Sequence, residues 1–373
     1  FNPSLIAKPV IILSNNDGCI IARSNEAKKL GIGMGEPFFK AKQIVEKHHV
    51  HVFSSNYTLY ADMSARVMSI LTNFMTKNTI EIYSVDEAFL DLSHHTAPEK
   101  FAKHIQQTIQ QWTGIPISIG LGRTKTLAKV ASNIAKKYPI YEGVFCIDND
   151  ARHQKVLSST NVGDVWGIGR RITKRLHKHH ITTAYQLSQQ QDAWIRKNLT
   201  VCGLKTVEEL RGVPCFLLDH TPKAKQSITV SRSFGKRVYN AQSIKEALSN
   251  FVERAGEKLR QEGLLASSCQ LFLLSDLVNH QHHSTLVEFP HPTDSTPEMI
   301  RTIFHALNSL FREGTGYKKC GITLIKLHPK HHQVHDLFDT RNTQQQSKLM
   351  HTIDHLNHKM GQGTLTLASS KGK

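Results

Sequence analysis

Short apolar runs separated by polar turns fill the first half of the chain. Two such runs, 9–13 and 19–21, flank Asn16-Asp17-Gly18, which predicts two strands joined by a tight turn. The segments that follow have apolar residues at helical spacing and predict helices, with one strand before the last helix. These predicted elements are helices at 25–30, 59–74, 98–112 and 124–137 and a strand at 115–121.

One predicted hairpin has two adjacent carboxylates in its turn. Residues 80–82 alternate apolar and polar side chains, and the next apolar run begins at Phe89. This pattern predicts strand, turn, strand, with Asp86 and Glu87 at or near the turn. Neighbouring carboxylates repel, so we expect a countercharge beside them, and Mg²⁺ is a natural one because it prefers carboxylate oxygens. An ordinary acidic turn is the alternative interpretation of the pair alone.

The last third of the chain has a simpler order of elements. Residues 228–329 show strand and helix patterns in the order β-α-β-β-α-β, which predicts a four-stranded sheet backed by two helices. A polar, proline-containing linker at 219–227 precedes this region. Residues 330–373 are rich in His, Gln, Thr, Ser and Lys, which predicts a partly disordered tail. The predicted fold class is therefore α+β, in several domains.

The charge balance favours a polyanionic partner. Lys plus Arg is 47 and Asp plus Glu is 30 in 373 residues, which gives a net charge of +17 and a pI near 9.6. Residues 165–191 hold five basic residues and no acid, and Gly167-Ile168-Gly169 resembles a helix-hairpin-helix turn. Glycine lets backbone N–H groups approach a DNA phosphate there, although a plain helix connection is the alternative.

Other features exclude several classes of protein. No apolar run approaches the ~20 residues of a membrane span, and no signal-peptide pattern is present, so we expect a soluble cytoplasmic protein that does not bind membranes. The six cysteines include no Cys-x-x-Cys pair and predict reduced, mostly buried thiols. The histidine clusters at 280–283 and 331–335 predict solvated loops more than a metal site. Residues 120–126 do not meet the spacing of a phosphate-loop hydrolase.

Several motifs, in their order and spacing, resemble the Y-family (translesion) DNA polymerases. They are SNYTLYADMS at 55–64, YSVDEAF at 83–89 and GLGRTKTLAK at 120–129, followed by Asn133 and Lys136-Lys137. A second set resembles the UmuC group of that family, the catalytic subunits of bacterial DNA polymerase V. It consists of LSNNDGC at 13–19, IAR at 21–23, FSSNY at 53–57 and DVWGIGRR at 164–171.

The resemblance implies a right-hand polymerase fold. It assigns the fingers to 1–53 without the first palm strand, the palm to 54–147, and a helical thumb with the helix-hairpin-helix to 148–222. The β-α-β-β-α-β region, 228–329, would be the little finger that grips the duplex. The tail, 330–373, would carry a peptide for the sliding clamp, and a tail that folds back onto its own domain is the alternative.

The resemblance also implies site residues. Asp86 and Glu87 would be catalytic residues that supply two of three carboxylates for two Mg²⁺ ions, and Lys28, Lys136 and Arg23 would contact the nucleotide triphosphate. The third carboxylate and the aromatic residue that excludes ribonucleotides belong before Phe1, so we interpret the chain as an N-terminally truncated fragment. The candidate DNA contacts are Gly167, Gly169, Arg170, Arg171, Lys174, Arg232, Lys236 and Arg237, and the candidate clamp-binding residues are Gln333, Leu337 and Phe338.

The implied function is error-prone synthesis past damaged template bases in the bacterial SOS response. Primer–template DNA and deoxynucleoside triphosphates would be the substrates. A dimer of processed UmuD, the RecA filament and the sliding clamp would be partners. The alternative is a catalytically inactive remnant that binds DNA or the clamp, which the missing first aspartate favours for this fragment.

Overall fold

The computed structural model describes residues 2–220, 224–276, 281–330 and 343–370. Packing divides the chain into two units, Phe1–Pro222 and Lys223–Lys373. In the described part of the chain, no helix is long and apolar enough to cross a membrane.

A three-stranded sheet with two helices opens the first unit. The elements are β1 (Val10–Leu13), β2 (Ile20–Arg23), α1 (Asn25–Lys29), α2 (Phe38–Lys47) and β3 (His51–Ser54). Strand β1 is central and pairs antiparallel with β2 and parallel with β3. Ile11, Leu13 and Ile20 are buried against Ala27 of α1 and Ala41 of α2. The strands and helix predicted around the 16–18 turn are therefore confirmed.

The predicted carboxylate hairpin and a β-α-β unit follow. The elements are α3 (Tyr57–Phe74), β4 (Ile80–Ile82), β5 (Ala88–Leu90), α4 (Pro98–Thr113), β6 (Ile119–Leu121), α5 (Lys125–Lys137) and β7 (Val144–Cys146). Strands β4 and β5 are antiparallel, and Ile80 packs with Met68 of α3 and Ile105 of α4. Strands β6 and β7 are parallel. The helix α5 is the crossover that a parallel pair requires.

Glycine at position 120 lets α5 lie directly against β6. A Cβ atom on Gly120 would lie 2.0 Å from the backbone N of Ser132 and 2.2 Å from the backbone O of Ala128, both in α5. The glycine-rich segment before the helix therefore serves close packing of helix on strand.

Helices complete the first unit. They are α6 (Asp150–Ser159), α7 (Arg170–Lys178), α8 (Ala184–Ser188) and α9 (Asp192–Leu210). Helix α9 is broken at Thr200, which has a φ of 67°. Leu127 and Val130 of α5 share one buried cluster with Leu157 of α6, Leu187 of α8 and Val207 of α9. The helical region and the β-α-β unit are thus packed around a common core.

The second unit has the β-α-β-β-α-β order predicted from the sequence. Its elements are β8 (Ile228–Val238), α10 (Ala241–Gln261), β9 (Leu264–Asp276), β10 (Gln281–Thr293), α11 (Thr296–Leu310) and β11 (Tyr317–Pro329). The strand order is β10-β9-β11-β8, and all neighbours are antiparallel. Leu271 and Ile322 are buried on the face that packs against Val252 of α10 and Ile303 of α11.

Part of the C-terminal tail is folded. Residues 343–370 contain the helix α12 (Thr343–Met360), in which Met350 is buried. Arg260 of α10 donates two hydrogen bonds to the Asp354 carboxylate of α12, at 2.6 and 2.8 Å. The polar composition predicts a partly disordered tail, and within residues 343–370 the buried Met350 and this ion pair hold the helix on α10.

Candidate active site

Asp86 and Glu87 lie in the turn between β4 and β5, as the sequence predicts. The backbone N–H groups of Tyr83 and Ser84 both donate to the carbonyl oxygen of Glu87, each at 3.0 Å, which closes the turn. The Ser84 hydroxyl donates to Asp86 Oδ1 at 2.7 Å and orients that carboxylate. Both acidic side chains are exposed, so their oxygens are available to a cation from solvent.

Helix α5 places two lysines against acidic residues of the hairpin. Lys125 is paired with Glu81 of β4, and both side chains are only 10% exposed. Lys129 Nζ lies 2.7 Å from Glu87 Oε1 in a more open pair. A third lysine of this helix, Lys136, is exposed. The i, i+4 spacing explains the arrangement, since side chains one helical turn apart face the same hairpin.

A buried carboxylate fixes the beginning of α5. Glu209 of α9 is fully buried, and its Oε2 accepts the backbone N–H of Thr126 at 2.9 Å. Its Oε1 accepts the backbone N–H groups of Cys215 and Phe216, at 2.7 and 3.0 Å. The Thr124 hydroxyl donates to the Glu209 carbonyl oxygen at 2.8 Å. A negative charge at a helix N-terminus satisfies free N–H groups and is favoured by the helix dipole.

The segment that follows α9 runs along the hairpin. Lys125 Nζ donates to the Leu217 carbonyl oxygen at 2.7 Å, and the Asp219 N–H donates to Glu81 Oε2 at 2.7 Å. The pair between Lys125 and Glu81 is therefore a structural junction among α5, β4 and the segment 211–220.

Aromatic rings surround the lysines. Trp166 lies 5.5 Å from Tyr83, 5.6 Å from Phe89 and 5.4 Å from Phe216 between ring centroids, and its Nε1–H donates to the Tyr83 hydroxyl at 3.3 Å. Lys129 Nζ lies 5.3 Å from the Tyr83 centroid and 5.7 Å from the Trp166 centroid. Sequence reasoning missed this cluster, although the aromatic residues that flank the two carboxylates were a signal.

Comparison with known proteins identifies the family of this chain. Residues 1–133 match the model of the impB/mucB/samB family, and residues 225–337 match the model of its C-terminal domain. The chain is 40% identical to protein ImpB of Salmonella typhimurium over 99% of this chain and 88% of that protein. The chain belongs to the impB/mucB/samB family.

Other members of the impB/mucB/samB family show similar identity. Protein UmuC of Salmonella typhimurium strain LT2 is 41% identical over 99% of this chain and 89% of that protein, and protein MucB of Escherichia coli is 37% identical over 96% and 86%. The resemblance to Y-family polymerases and their UmuC group is confirmed.

Solved structures give the fold. A Y-family DNA polymerase chimera of Dbh and Dpo4 matches with a TM-score of 0.70 at 20% identity, covering 87% of this chain and 93% of that one. An insertion ternary complex of Dbh DNA polymerase matches with a TM-score of 0.52 at 20% identity and the same coverage. The predicted Y-family fold is therefore confirmed.

The three cations predicted for the triphosphate have different surroundings. Lys28 is exposed and donates to Asn25 Oδ1 at 3.1 Å, and Lys136 is exposed. Arg23 is half-buried and its Nη1 donates to the Ile32 carbonyl oxygen. No hydrogen bond or ion pair in the described residues joins any of the three to the two hairpin carboxylates.

The predicted helix-hairpin-helix residues lie around the beginning of α7. Gly167 has a φ of +87°, a conformation that glycine adopts most readily, and Gly169 is the N-cap residue of α7. Arg170, Arg171 and Lys174 are exposed on the helix. Basic side chains thus surround a helix N-terminus.

The predicted DNA-binding residues of the second unit differ in whether their side chains already make hydrogen bonds. Arg232 and Lys236 of β8 are exposed. Arg232 lies opposite Cys320 in the β8–β11 register, and Cys320 is buried on the helix-packed side, so Arg232 is on that side of the edge strand. Arg237 Nη1 donates to the Ser275 carbonyl oxygen at 2.8 Å. The predicted clamp-binding residues Gln333, Leu337 and Phe338 lie outside the described residues.

The hairpin carboxylates fit a hard divalent cation. Asp86 and Glu87 offer exposed oxygens, and the Lys129 ammonium on Glu87 shows that a positive charge is stable there. Over the described ranges, no group of three or more His, Cys, Asp or Glu side chains could hold a metal ion. Two protein carboxylates are compatible with Mg²⁺, which commonly takes its other ligands from water and substrate phosphates.

Proposed function

We propose that the chain is a DNA-directed DNA polymerase that adds deoxynucleotides to a primer opposite damaged template bases. The observation that carries the proposal is the pair of exposed carboxylates, Asp86 and Glu87, in the β4–β5 turn of a member of the impB/mucB/samB family. Relatives that include a DNA polymerase IV of Bacillus cereus, 26% identical over 98% of this chain, support it.

In this proposal the Asp86 and Glu87 carboxylates would hold Mg²⁺, with two ions expected. The bound ions would lower the barrier to phosphoryl transfer by neutralising charge on the attacking and leaving oxygens. Ser84 orients the Asp86 carboxylate through its hydroxyl hydrogen bond of 2.7 Å. Glu209 orients the helix whose lysine faces Glu87, because its carboxylate holds the first turn of α5.

The nucleotide triphosphate would be bound by exposed cations. Lys28 and Lys136 are exposed and carry their charge on long side chains that can reach a phosphate. Arg23 would have to give up its hydrogen bond to the Ile32 carbonyl oxygen, or act through a nitrogen that this bond leaves free. We therefore place Arg23 third among these candidates.

Primer–template DNA would be held through its phosphates. The N-terminus of α7, with Gly167, Gly169, Arg170, Arg171 and Lys174, offers backbone N–H groups and charge without a means to read sequence. In the second unit, Arg232 and Lys236 are available, and Arg237 would act with the nitrogen atoms that its carbonyl contact leaves free.

The domain names belong to the same proposal. Fingers at 1–53, palm at 54–147, thumb at 148–222, little finger at 228–329 and tail at 330–373 follow the order of the family's parts. The role in SOS mutagenesis is proposed from the family, as are the partners: a processed UmuD dimer, the RecA filament and the sliding clamp.

Primer extension tests the proposal. The purified protein is mixed with a primer–template, deoxynucleoside triphosphates and Mg²⁺, and the rate is compared with that of Asp86→Asn. We expect extension by the wild type and a loss of at least about 100-fold in the variant, since even outer-shell partners of bound metals act on that scale. Asp150→Asn, which changes a carboxylate that is 88% exposed on α6, is the control and should extend at the wild-type rate.

Two results would contradict the proposal. Equal extension by Asp86→Asn and the wild type would remove Asp86 from the site. Salt-dependent DNA binding by the wild type with no extension in Mg²⁺ or Mn²⁺ would favour the DNA-binding remnant instead.

A further inference from the structure

Lys129 has two independent kinds of partner. Its ammonium is ion-paired with Glu87 at 2.7 Å, and it lies over the rings of Tyr83 and Trp166. We propose that Lys129 competes with the divalent cation for Glu87 and, once displaced, remains on the two rings as a cation that faces the phosphates of the bound nucleotide. This inference rests on the proposed function, because it assumes that Glu87 is a metal ligand.

The Lys129 pair is open in a way that the neighbouring pair is not. Lys129 and Glu87 are 22% and 45% exposed, so solvent ions reach the carboxylate. Lys125 and Glu81 are each 10% exposed, and both make further bonds to the segment 211–220. One pair is therefore a fixed junction, whereas the other can open without disturbing the fold.

A divalent ion is a stronger partner for Glu87 than an ammonium group. Mg²⁺ carries twice the charge, and it gains a second carboxylate from Asp86, whose Oδ1 is the atom oriented by Ser84. An ion pair between side chains that are 22% and 45% exposed contributes little, so its loss opposes metal binding only weakly.

The rings would keep the displaced ammonium nearby. Trp166 is held by its Nε1–H bond to the Tyr83 hydroxyl and by edge contact with Phe216. A cation over an aromatic face is attracted by the ring quadrupole without any carboxylate. Lys129 then carries an uncompensated charge beside the metal site, and the phosphates of a nucleotide are the anions that such a site receives.

Metal binding alone tests the first half of the inference. Free Mn²⁺ is measured by electron paramagnetic resonance as it is added to the wild type, Lys129→Met and the control Lys137→Met. Lys137 is on the same helix, over the Tyr138 ring, and is exposed. We expect Lys129→Met to bind Mn²⁺ about fivefold more tightly, the scale of one partly exposed ion pair, and Lys137→Met to bind like the wild type.

Nucleotide binding tests the second half. Calorimetric titration with a deoxynucleoside triphosphate in Mg²⁺ should show weaker binding for Lys129→Met and unchanged binding for Lys137→Met. Trp166→Leu, checked for its unfolding temperature, should also weaken nucleotide binding while Glu87 still binds Mn²⁺. Tighter metal binding together with weaker nucleotide binding in one variant is not expected of a residue that only stabilises the fold.

Other results overturn the inference. Mn²⁺ binding by Lys129→Met that equals or falls below that of the wild type removes the competition, and unchanged nucleotide binding removes the phosphate-facing role. If Asp86→Asn binds Mn²⁺ as tightly as the wild type, the hairpin is not the metal site and the inference fails with it. If Lys129→Met shows the expected changes in Mn²⁺ and nucleotide affinity but the wild type does not extend primers, the inference about Lys129 stands and only the proposed polymerase activity fails.

Discussion

Glu209 Oε2 accepts the backbone N–H of Thr126 at 2.9 Å across a sequence separation of 83 residues. This bond joins the end of α9 to the first turn of α5, the helix that carries Lys125 and Lys129. The position of the two lysines on the hairpin therefore depends on a carboxylate that is distant in the chain.

Glu209→Gln should destabilise the first unit by about 2–3 kcal/mol, because a buried charged acceptor of three N–H groups is replaced by an amide with only one acceptor oxygen. Chemical denaturation measures the loss. The amides of Thr126, Cys215 and Phe216 should also exchange faster with deuterium.

The neighbouring residue supplies the control for Glu209. Glu208 is paired with Arg211 and is 25% exposed. Glu208→Gln should cost about 1 kcal/mol or less and leave the three amides protected. Equal effects of the two substitutions would show that the buried carboxylate is not the anchor of α5.

Gly120→Ala should destabilise the first unit by about 3 kcal/mol, since its Cβ would overlap backbone atoms of α5 that cannot move independently. Gly169→Ala is the control, because no atom lies within 4 Å of a Cβ at that position. It should cost about 1 kcal/mol or less. Thermal unfolding of the two variants distinguishes the cases, and a stable Gly120→Ala protein would mean that α5 and β6 are further apart.

Arg171→Gln should weaken duplex DNA binding uniformly across sequences. If Arg171 neutralises one phosphate, the slope of log affinity against log salt concentration should become shallower by about 0.9. Arg152→Gln is the control, because Arg152 is occupied by Asp148 and the Cys146 carbonyl oxygen. Fluorescence anisotropy at several salt concentrations gives the slope for each variant and for the wild type. A slope for Arg171→Gln equal to that of the wild type would exclude a phosphate contact at Arg171.

The cysteines should react in two classes. Cys202 is exposed, whereas Cys269 and Cys320 are buried, and burial raises the pKa of each buried thiol to about 12. An aromatic disulfide reagent should modify Cys202 in the native protein and the buried pair only after unfolding. Only these two of the six thiols are buried, so the sequence prediction of mostly buried thiols is wrong.

The same pKa values give a pH dependence. The ordinary thiol pKa is 9.0, so the unfolded chain loses these protons at a lower pH than the folded one. The free energy of unfolding should fall as the pH rises above 9.0, and the Cys320→Ala variant should show a shallower fall. If the free energy of unfolding of Cys320→Ala fell with pH as steeply as that of the wild type, the raised pKa of Cys320 would not be the cause.

Local pattern was enough to predict most elements and the hairpin turn. Asp86 and Glu87 were found because a turn between two short strands is a local feature of the sequence. Strand β7 was not predicted, because a strand of three residues is too short to show an alternating apolar pattern. Its parallel pairing with β6 depends on the α5 crossover, which is not a local feature of the sequence.

The long-range parts of the site were not predictable in the same way. Glu209 follows another glutamate in a helix and has the pattern of a surface residue, yet it is fully buried. Trp166 was noted as part of a motif, but its contact with Tyr83 joins segments far apart in the chain. Such contacts depend on tertiary packing, and the periodic pattern of apolar residues does not predict them.

The last residues described in the first unit are hydrogen-bonded to strand β4. Besides the bond from Asp219 to Glu81, His220 Nδ1 lies 3.1 Å from the Ile80 carbonyl oxygen. A force applied to the chain beyond residue 220 would therefore load these hydrogen bonds to β4 before it loaded α9, which ends earlier in the chain at Leu210. Because the same strand leads into the turn that holds Asp86, a pull on the backbone there would be passed to the carboxylates through two hydrogen bonds and one short strand.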